Sequence, residues 1–166
     1  SVVALNTWQQ HRIAKLVVEK LFGTVTGKRL AILGFAFKAD TNDTREAPAI
    51  RICRDLLEEG AQLAIHDPKV AAQQMVRDLQ QEAAPQADSL SGTGSWLQAG
   101  SVEEAVTGAD AVLVLTEWQQ YRDLNWMDLA GRMRKPAWVF DARAVADPER
   151  VRDAGFTLWR VGDGES

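Results

Sequence analysis

The sequence predicts an α/β protein in which a mostly parallel sheet lies between two layers of helices. Short apolar segments of strand length alternate with longer segments whose apolar residues recur at helical spacing. Repeated strand and helix alternation gives a parallel sheet joined by right-handed crossovers. The predicted strands cover 29–34, 62–66, 96–98, 110–115, 137–140 and 156–160, and the predicted helices cover 3–22, 46–59, 69–81, 101–107, 118–131 and 148–154.

The expected strand order is 3-2-1-4-5-6, which makes the sheet Rossmann-like. That order brings the loops after the first and fourth strands to the point where such sheets bind ligands. The loop after the first strand has one glycine, Gly34, and lacks the Gly-x-Gly-x-x-Gly pattern that lets a backbone approach a pyrophosphate. We therefore expect that this sheet is not the main NAD site, and that Asp67 opens a turn rather than binding a ribose.

The first predicted helix, over residues 3–22, is apolar on more than one face, so it needs two surfaces to pack on. We expect it to leave a contiguous apolar patch exposed and to promote self-association. Residues 85–95 are rich in Gly, Ser, Pro and Asp and are expected to form a mobile loop. Residues 162–166 are expected to fray.

Composition excludes several classes of protein. The chain has 166 residues, of which 46% are hydrophobic and 25% charged, which is typical of a globular domain and not of a disordered chain. A net charge of −4 with scattered basic residues argues against nucleic-acid binding. No apolar run approaches the roughly 20 residues that span a bilayer. We expect a soluble, cytoplasmic protein.

Two cations lie in the loop between the first strand and the following helix. Lys38 and Arg45 precede Pro48, which is suited to the first turn of a helix. The helix N-terminus adds free N–H groups and a positive dipole end, so the loop could bind a diphosphate. The alternative is that both cations are ordinary solvated loop charges.

Four ordered stretches cover nearly the whole chain and identify a family. They are Leu5-Asn6 with Gln9 and Arg12, Gly34-Phe-Ala-Phe-Lys38 through Asp43-Thr-Arg-Glu46, His66-Asp-Pro-Lys69, and Leu115-Thr-Glu-Trp118 followed by Phe140-Asp-Ala-Arg143. They resemble the C-terminal, UDP-binding domain of the UDP-glucose/GDP-mannose dehydrogenase family. The Thr116-Glu-Trp118 element is more similar to the UDP-glucose branch than to the GDP-mannose branch.

The resemblance implies roles for four residues. Phe37 and Lys38 would bind the UDP-sugar, although Phe37 could equally be a core residue. Arg143 would reach the diphosphate or the sugar, and its planar fork suits a phosphate. Arg45 would lie toward NAD. Ala142 replaces the family's usual glycine before the arginine, which leaves the geometry of that turn open.

The resemblance also implies an activity for a longer enzyme, the NAD-dependent oxidation of UDP-glucose to UDP-glucuronate. NAD would be bound mainly by an N-terminal half. Residues 1–22 would be the end of a central connecting and dimerisation helix, and residues 23–166 the UDP-sugar-binding domain of a homo-oligomer. The chain alone is expected to be inactive. The alternatives are a stand-alone nucleotide-sugar-binding or assembly module, or the equivalent domain of a GDP-mannose dehydrogenase.

No catalytic or metal-binding residue is expected in this chain. The family's nucleophile belongs to a Gly-Gly-Ser-Cys-like motif that this sequence lacks. Cys53 shares a helical stripe with Ile50 and Leu57, which favours a buried thiol. His11 and His66 have no neighbouring set of ligands.

Overall fold

The computed structural model of the chain describes residues 6–84 and 94–162. The first residues of the predicted helix 3–22, most of the predicted loop 85–95 and nearly all of the predicted tail lie outside these ranges. The expectations for those segments therefore stay predictions.

A six-stranded parallel sheet forms the centre of the domain, and its strands, numbered along the chain, lie side by side in the order 3-2-1-4-5-6. This confirms the predicted fold class and strand order. The two middle strands carry uninterrupted apolar runs and are almost wholly buried, because helices cover both faces of the sheet. The strands are β1 Arg29–Leu33, β2 Gln62–His66, β3 Ser95–Gln98, β4 Ala111–Val114, β5 Trp138–Asp141 and β6 Thr157–Arg160.

The helices follow the predicted positions, with differences at their starts. The third begins at Ala72 rather than at 69, because a turn occupies the residues after β2. The second has Pro48 as its first residue, as its sequence predicts. The helices are α1 Thr7–Lys20, α2 Pro48–Glu58, α3 Ala72–Leu79, α4 Val102–Val106, α5 Gln119–Arg122, α6 Trp126–Arg132 and α7 Pro148–Asp153.

Helix α1 begins at Thr7 because a capping box closes its first turn. The side chain of Asn6 accepts the backbone N–H of Gln9 at 2.9 Å, and the Gln9 side chain accepts the backbone N–H of Asn6 at 3.1 Å. The two side chains thus satisfy backbone donors that the helix cannot satisfy itself.

Most apolar residues of α1 are buried within this domain, where the helix packs on α2. The expected contiguous exposed patch is therefore wrong for residues 6–22. Two large apolar side chains do face solvent, Trp8 at 68% and Phe22 at 77% exposure, but they lie at opposite ends of the helix. The apolar faces of α1 are therefore covered largely by other parts of the same chain.

Candidate functional site

Asp67 lies at the end of β2 and is the centre of a buried hydrogen-bond network. One of its oxygens, Oδ2, accepts the backbone N–H groups of Phe35 at 2.8 Å and Ala36 at 2.9 Å. The same oxygen accepts the indole N–H of Trp118 at 3.2 Å. A carboxylate that accepts several N–H groups is strongly held. Asp67 thereby joins the loops that follow β1, β2 and β4.

The second oxygen of Asp67 organises its own turn. Oδ1 accepts the backbone N–H groups of Lys69 at 2.9 Å and Val70 at 3.1 Å, as aspartates commonly do in turns. The predicted turn is confirmed. The amides of the β1 loop, which hold a pyrophosphate in ordinary dinucleotide-binding sheets, are already bound to a carboxylate of the same chain.

Gly34 lets the β1 loop pass close to the β4 loop. Its φ of +100° favours glycine, and a Cβ atom there would lie 2.4 Å from the Cβ of Thr116. The hydroxyl of Thr116 donates to the Ala36 carbonyl at 2.8 Å. This close approach fixes the path of the chain just before Phe37.

Phe37 and Lys38 leave the sheet edge as exposed side chains. Phe37 is 44% exposed, so the core alternative for this residue is wrong. Its backbone N–H donates to the carbonyl of Asp43 at 2.8 Å, which closes the loop that carries Lys38. Phe37 also lines an open cleft of about 770 Å³ that extends to Arg45 and to the N-terminus of α1.

Arg45 also lines that cleft, but the Nε–Nη2 edge of its guanidinium is already hydrogen-bonded within the chain. Its Nε and Nη2 atoms donate to the two carboxylate oxygens of Asp43 at 3.0 and 2.9 Å. The side-chain hydrogen bonds from Arg45, followed by its backbone N–H, lower the pKa of Asp43 to about 2. The Arg45 side chain is 88% exposed, so the pair is a solvated loop ion pair.

Arg143, unlike Arg45, is buried and is not hydrogen-bonded to a carboxylate of the described residues. It follows β5, and its side chain is 3% exposed. Nη2 lies 2.9 Å from Oε1 of Glu117, an ion-pair distance, but the two atoms are not aligned as a hydrogen bond. Both Nε and Nη2 lack a hydrogen-bond acceptor in the described part of the chain. Buried guanidinium donors without acceptors are costly. The Nε–Nη2 edge of Arg143 is thus buried, contacts Glu117 and lacks a hydrogen-bond acceptor among the described residues, so its capacity to bind an anion is unused.

The turn that carries Arg143 is shaped by the buried Asp141. Oδ1 of Asp141 accepts the backbone N–H of Arg143 at 3.1 Å, and Oδ2 accepts that of Ala146 at 2.7 Å. The left-handed residue of this turn is Ala144, with φ +57°, and Ala142 has no positive φ. Alanine at position 142 is therefore compatible with the backbone that places Arg143.

Residues 116–118 tie the separate loops into one sheet edge. The threonine hydroxyl donates to the carbonyl of Ala36, the glutamate contacts Arg143, and the tryptophan indole donates to Asp67. Lys38 and Arg143 follow β1 and β5, two strands that are separated by β4 alone and therefore lie roughly 10 Å apart in the sheet. These linking roles were missed from sequence. Thr116-Glu-Trp118 was identified there as a family element, without a role for any of its residues.

Comparison with known proteins assigns the family. Residues 31–148 match the model described as the UDP-glucose/GDP-mannose dehydrogenase family, UDP binding domain. The chain belongs to this family. The resemblance inferred from the four stretches is confirmed.

The family relatives are longer proteins. The chain is 40% identical over 168 residues to UDP-glucose 6-dehydrogenase 5 of Oryza sativa subsp. japonica, covering 97% of this chain and 35% of the relative. A crystal structure of NDP-N-acetyl-D-galactosaminuronic acid dehydrogenase from Methanosarcina mazei Go1 matches with TM-score 0.69 and 25% identity, over 92% of this chain and 28% of that one. A UDP-glucose dehydrogenase from Pyrobaculum islandicum matches with TM-score 0.62 and 25% identity, over 91% and 29%. The chain therefore spans about a third of the length of the curated relatives it matches.

The remaining titratable candidates of this family domain are structural. Cys53 is fully buried, and burial raises the pKa of its thiol, which confirms its place in the core. His66 is buried with its Nδ1 2.8 Å from the hydroxyl of Tyr121, and burial lowers its pKa. His11 pairs with Asp55 at 2.6 Å.

The described residues contain neither a metal-binding cluster nor a helix suited to spanning a membrane. Residues 6–84 and 94–162 contain no group of three or more His, Cys, Asp or Glu side chains that could hold a metal ion. In the same ranges, no helix is long and apolar enough to cross a membrane.

Proposed function

We propose that this chain is the UDP-sugar-binding domain of a UDP-glucose 6-dehydrogenase, an enzyme that oxidises UDP-glucose to UDP-glucuronate with NAD. The observation that carries the proposal is the buried side chain of Arg143, whose Nε–Nη2 edge has no hydrogen-bond acceptor in the described residues. Family membership and a relative named UDP-glucose 6-dehydrogenase support it. The domain binds and positions the substrate, and the oxidation needs groups supplied from elsewhere in a longer protein.

The substrate's diphosphate is the anion that suits Arg143. A guanidinium fork binds two phosphate oxygens at once, and burial strengthens the attraction because little water competes. The exposed Lys38 supplies a second positive charge in the loop after β1. The exposed ring of Phe37 offers an apolar surface for the sugar nucleotide.

NAD belongs mainly to another part of the enzyme. Asp67 occupies the β1-loop amides that a pyrophosphate would use in this sheet. Arg45 is our candidate for a contact with NAD from this domain, at the open cleft it shares with Phe37. A phosphate there competes with Asp43 for the fork of Arg45, so this contact is expected to be weaker than that of Arg143.

We also propose a homo-oligomer in the cytoplasm that assembles through residues 1–22. The exposed Trp8 and Phe22 are the apolar side chains of α1 and its C-terminal end that a second copy would cover. Sedimentation velocity of the chain over a range of concentrations tests this. A monomer at every concentration would contradict it.

The binding proposal is tested by titrating the chain with UDP-glucose, followed by NMR chemical shifts so that millimolar affinities are measurable. Arg143→Ala should weaken binding about ten- to a hundredfold, which is the loss of roughly 1.5–3 kcal/mol for a charge-assisted phosphate contact. Arg143→Lys should recover part of the loss, since a point charge replaces a fork. Arg77→Ala is the matched control, because Arg77 is 70% exposed on α3.

Two outcomes separate the alternatives. Unchanged affinity of Arg143→Ala for UDP-glucose would contradict the proposed site, and tighter binding of GDP-mannose than of UDP-glucose would favour the other branch of the family. With UDP-glucose and NAD present, the purified chain should produce no NADH. Steady NADH production would contradict a purely binding role.

A further inference from the structure

We propose that Glu117 is an internal anion that holds Arg143 while the site is empty, and that it swings away when a diphosphate binds. The inference rests on the proposed function and adds a specific competitor to it. It concerns a residue between two anchored neighbours, placed against the buried arginine of the site.

Glu117 forms an ion pair with Arg143 but leaves its Nε and Nη2 atoms without a hydrogen-bond acceptor in the described part of the chain. One carboxylate oxygen of Glu117 lies 2.9 Å from Nη2, and Nε of Arg143 has no hydrogen-bond acceptor in the described residues. The Arg45–Asp43 pair is the comparison within the same chain, because there both nitrogens of the fork are hydrogen-bonded to both oxygens. Glu117 therefore neutralises Arg143 without satisfying the fork that a phosphate would satisfy.

Burial explains why the empty site needs an anion. Arg143 is 3% exposed, and an isolated buried charge is strongly unfavourable. Glu117 lowers that penalty in the absence of ligand. Once a phosphate sits on the fork, the carboxylate becomes a like charge close to the ligand, and its presence opposes binding.

The surroundings allow the side chain of Glu117 to move while its backbone stays. Thr116 and Trp118 are both buried and are held by hydrogen bonds to the Ala36 carbonyl and to Asp67. The Glu117 side chain is 18% exposed, so it has a path to solvent. The proposed movement is a rotation of Glu117 about its own side-chain bonds, away from Nη2 of Arg143 and toward solvent.

The test is Glu117→Gln, which keeps the shape of the side chain and removes its charge. UDP-glucose should bind this variant about three- to thirtyfold more tightly than the wild-type chain, because a charge within a few ångströms of the phosphate is gone. Its midpoint of urea unfolding without ligand should fall, because Arg143 loses its counter-charge. A residue with a merely structural role would lower stability and affinity together.

Uridine and a distant glutamate provide the controls. Uridine carries no phosphate, so its affinity should be the same for the wild-type chain and Glu117→Gln. Glu58→Gln removes one negative charge from the exposed end of α2, at the opposite edge of the sheet, and should change neither the affinity for UDP-glucose nor the unfolding midpoint.

A second variant covers the case in which Glu117→Gln does not fold. Glu117→Asp keeps the charge but draws it back from Nη2 by one methylene, and should tighten UDP-glucose binding by a smaller factor. If the Glu117 variant that folds binds UDP-glucose no more tightly than the wild-type chain, while Arg143→Ala still loses affinity, the inference about Glu117 is wrong and the proposed site stands. Equal binding by wild type and Arg143→Ala overturns the proposed site as well.

Discussion

Replacing Asp67 with asparagine should destabilise the whole sheet edge. The aspartate accepts five N–H groups through its two oxygens, and an asparagine can present one oxygen and one NH₂ group in the same position. In either orientation the NH₂ group faces at least two N–H donors. Each buried donor left without an acceptor costs about 1–3 kcal/mol, so we expect Asp67→Asn to lower the free energy of unfolding by about 2–5 kcal/mol.

Urea denaturation monitored by tryptophan fluorescence and circular dichroism measures this loss. Asp147→Asn is the matched control, because Asp147 is an exposed N-cap of α7 and asparagine caps helices about as well as aspartate. The control should stay within about 0.5 kcal/mol of wild type. A loss below about 1 kcal/mol for Asp67→Asn would refute the argument that this carboxylate holds the three loops together.

Three further predictions follow from the same structure. Gly34→Ala should lower the urea midpoint markedly, because its Cβ would lie 2.4 Å from the Cβ of Thr116 at a positive φ; a wild-type midpoint would contradict this close approach. Burial lowers the pKa of His66 from its usual 6.5, so the unfolded chain binds the proton more readily, and the free energy of unfolding should fall as the pH drops below about 6.5. His66→Asn should flatten that part of the stability profile, and an unchanged slope would count against a buried neutral imidazole. Cys53→Ser should cost about 1–3 kcal/mol of stability without changing UDP-glucose binding, as measured by urea unfolding and titration, whereas a large loss of affinity would place Cys53 outside the core.

The architecture could be predicted because it depends on local patterns and on general rules of connection. Leu30–Leu33 of β1 and the whole of β4 are continuous apolar runs, which signal strands buried on both faces. Strands that alternate with helices must then pair in parallel through right-handed crossovers, which leaves few possible orders. Element starts were less accurate at α1 and α3, because side chains of Asn6 and Asp67 define the first turn of one helix and the turn before the other.

The candidate site could be predicted only as a set of residue types near one sheet edge. Sequence reasoning gave Lys38, Arg45 and Arg143 separate ligand roles but did not predict how far each side chain is buried. In the structure Arg45 is exposed and hydrogen-bonded to Asp43, whereas Arg143 is buried against Glu117 with Nε and Nη2 lacking a hydrogen-bond acceptor in the described residues. The Asp43–Arg45 contact joins residues two positions apart, so it is a local feature of the sequence. The burial of Arg143 depends on how all the other elements pack around it.

The sequence by itself determined the class of the fold, the strand order and the family, since periodicity and motif residues are properties of short stretches. Only the tertiary structure decided what joins those stretches. Asp67 meets amides more than 30 positions earlier and an indole 51 positions later, and Glu117, after β4, meets Arg143, which follows the adjacent strand β5. Such contacts depend on which residues the folded sheet places side by side. A local sequence pattern does not specify which distant residue a side chain will contact.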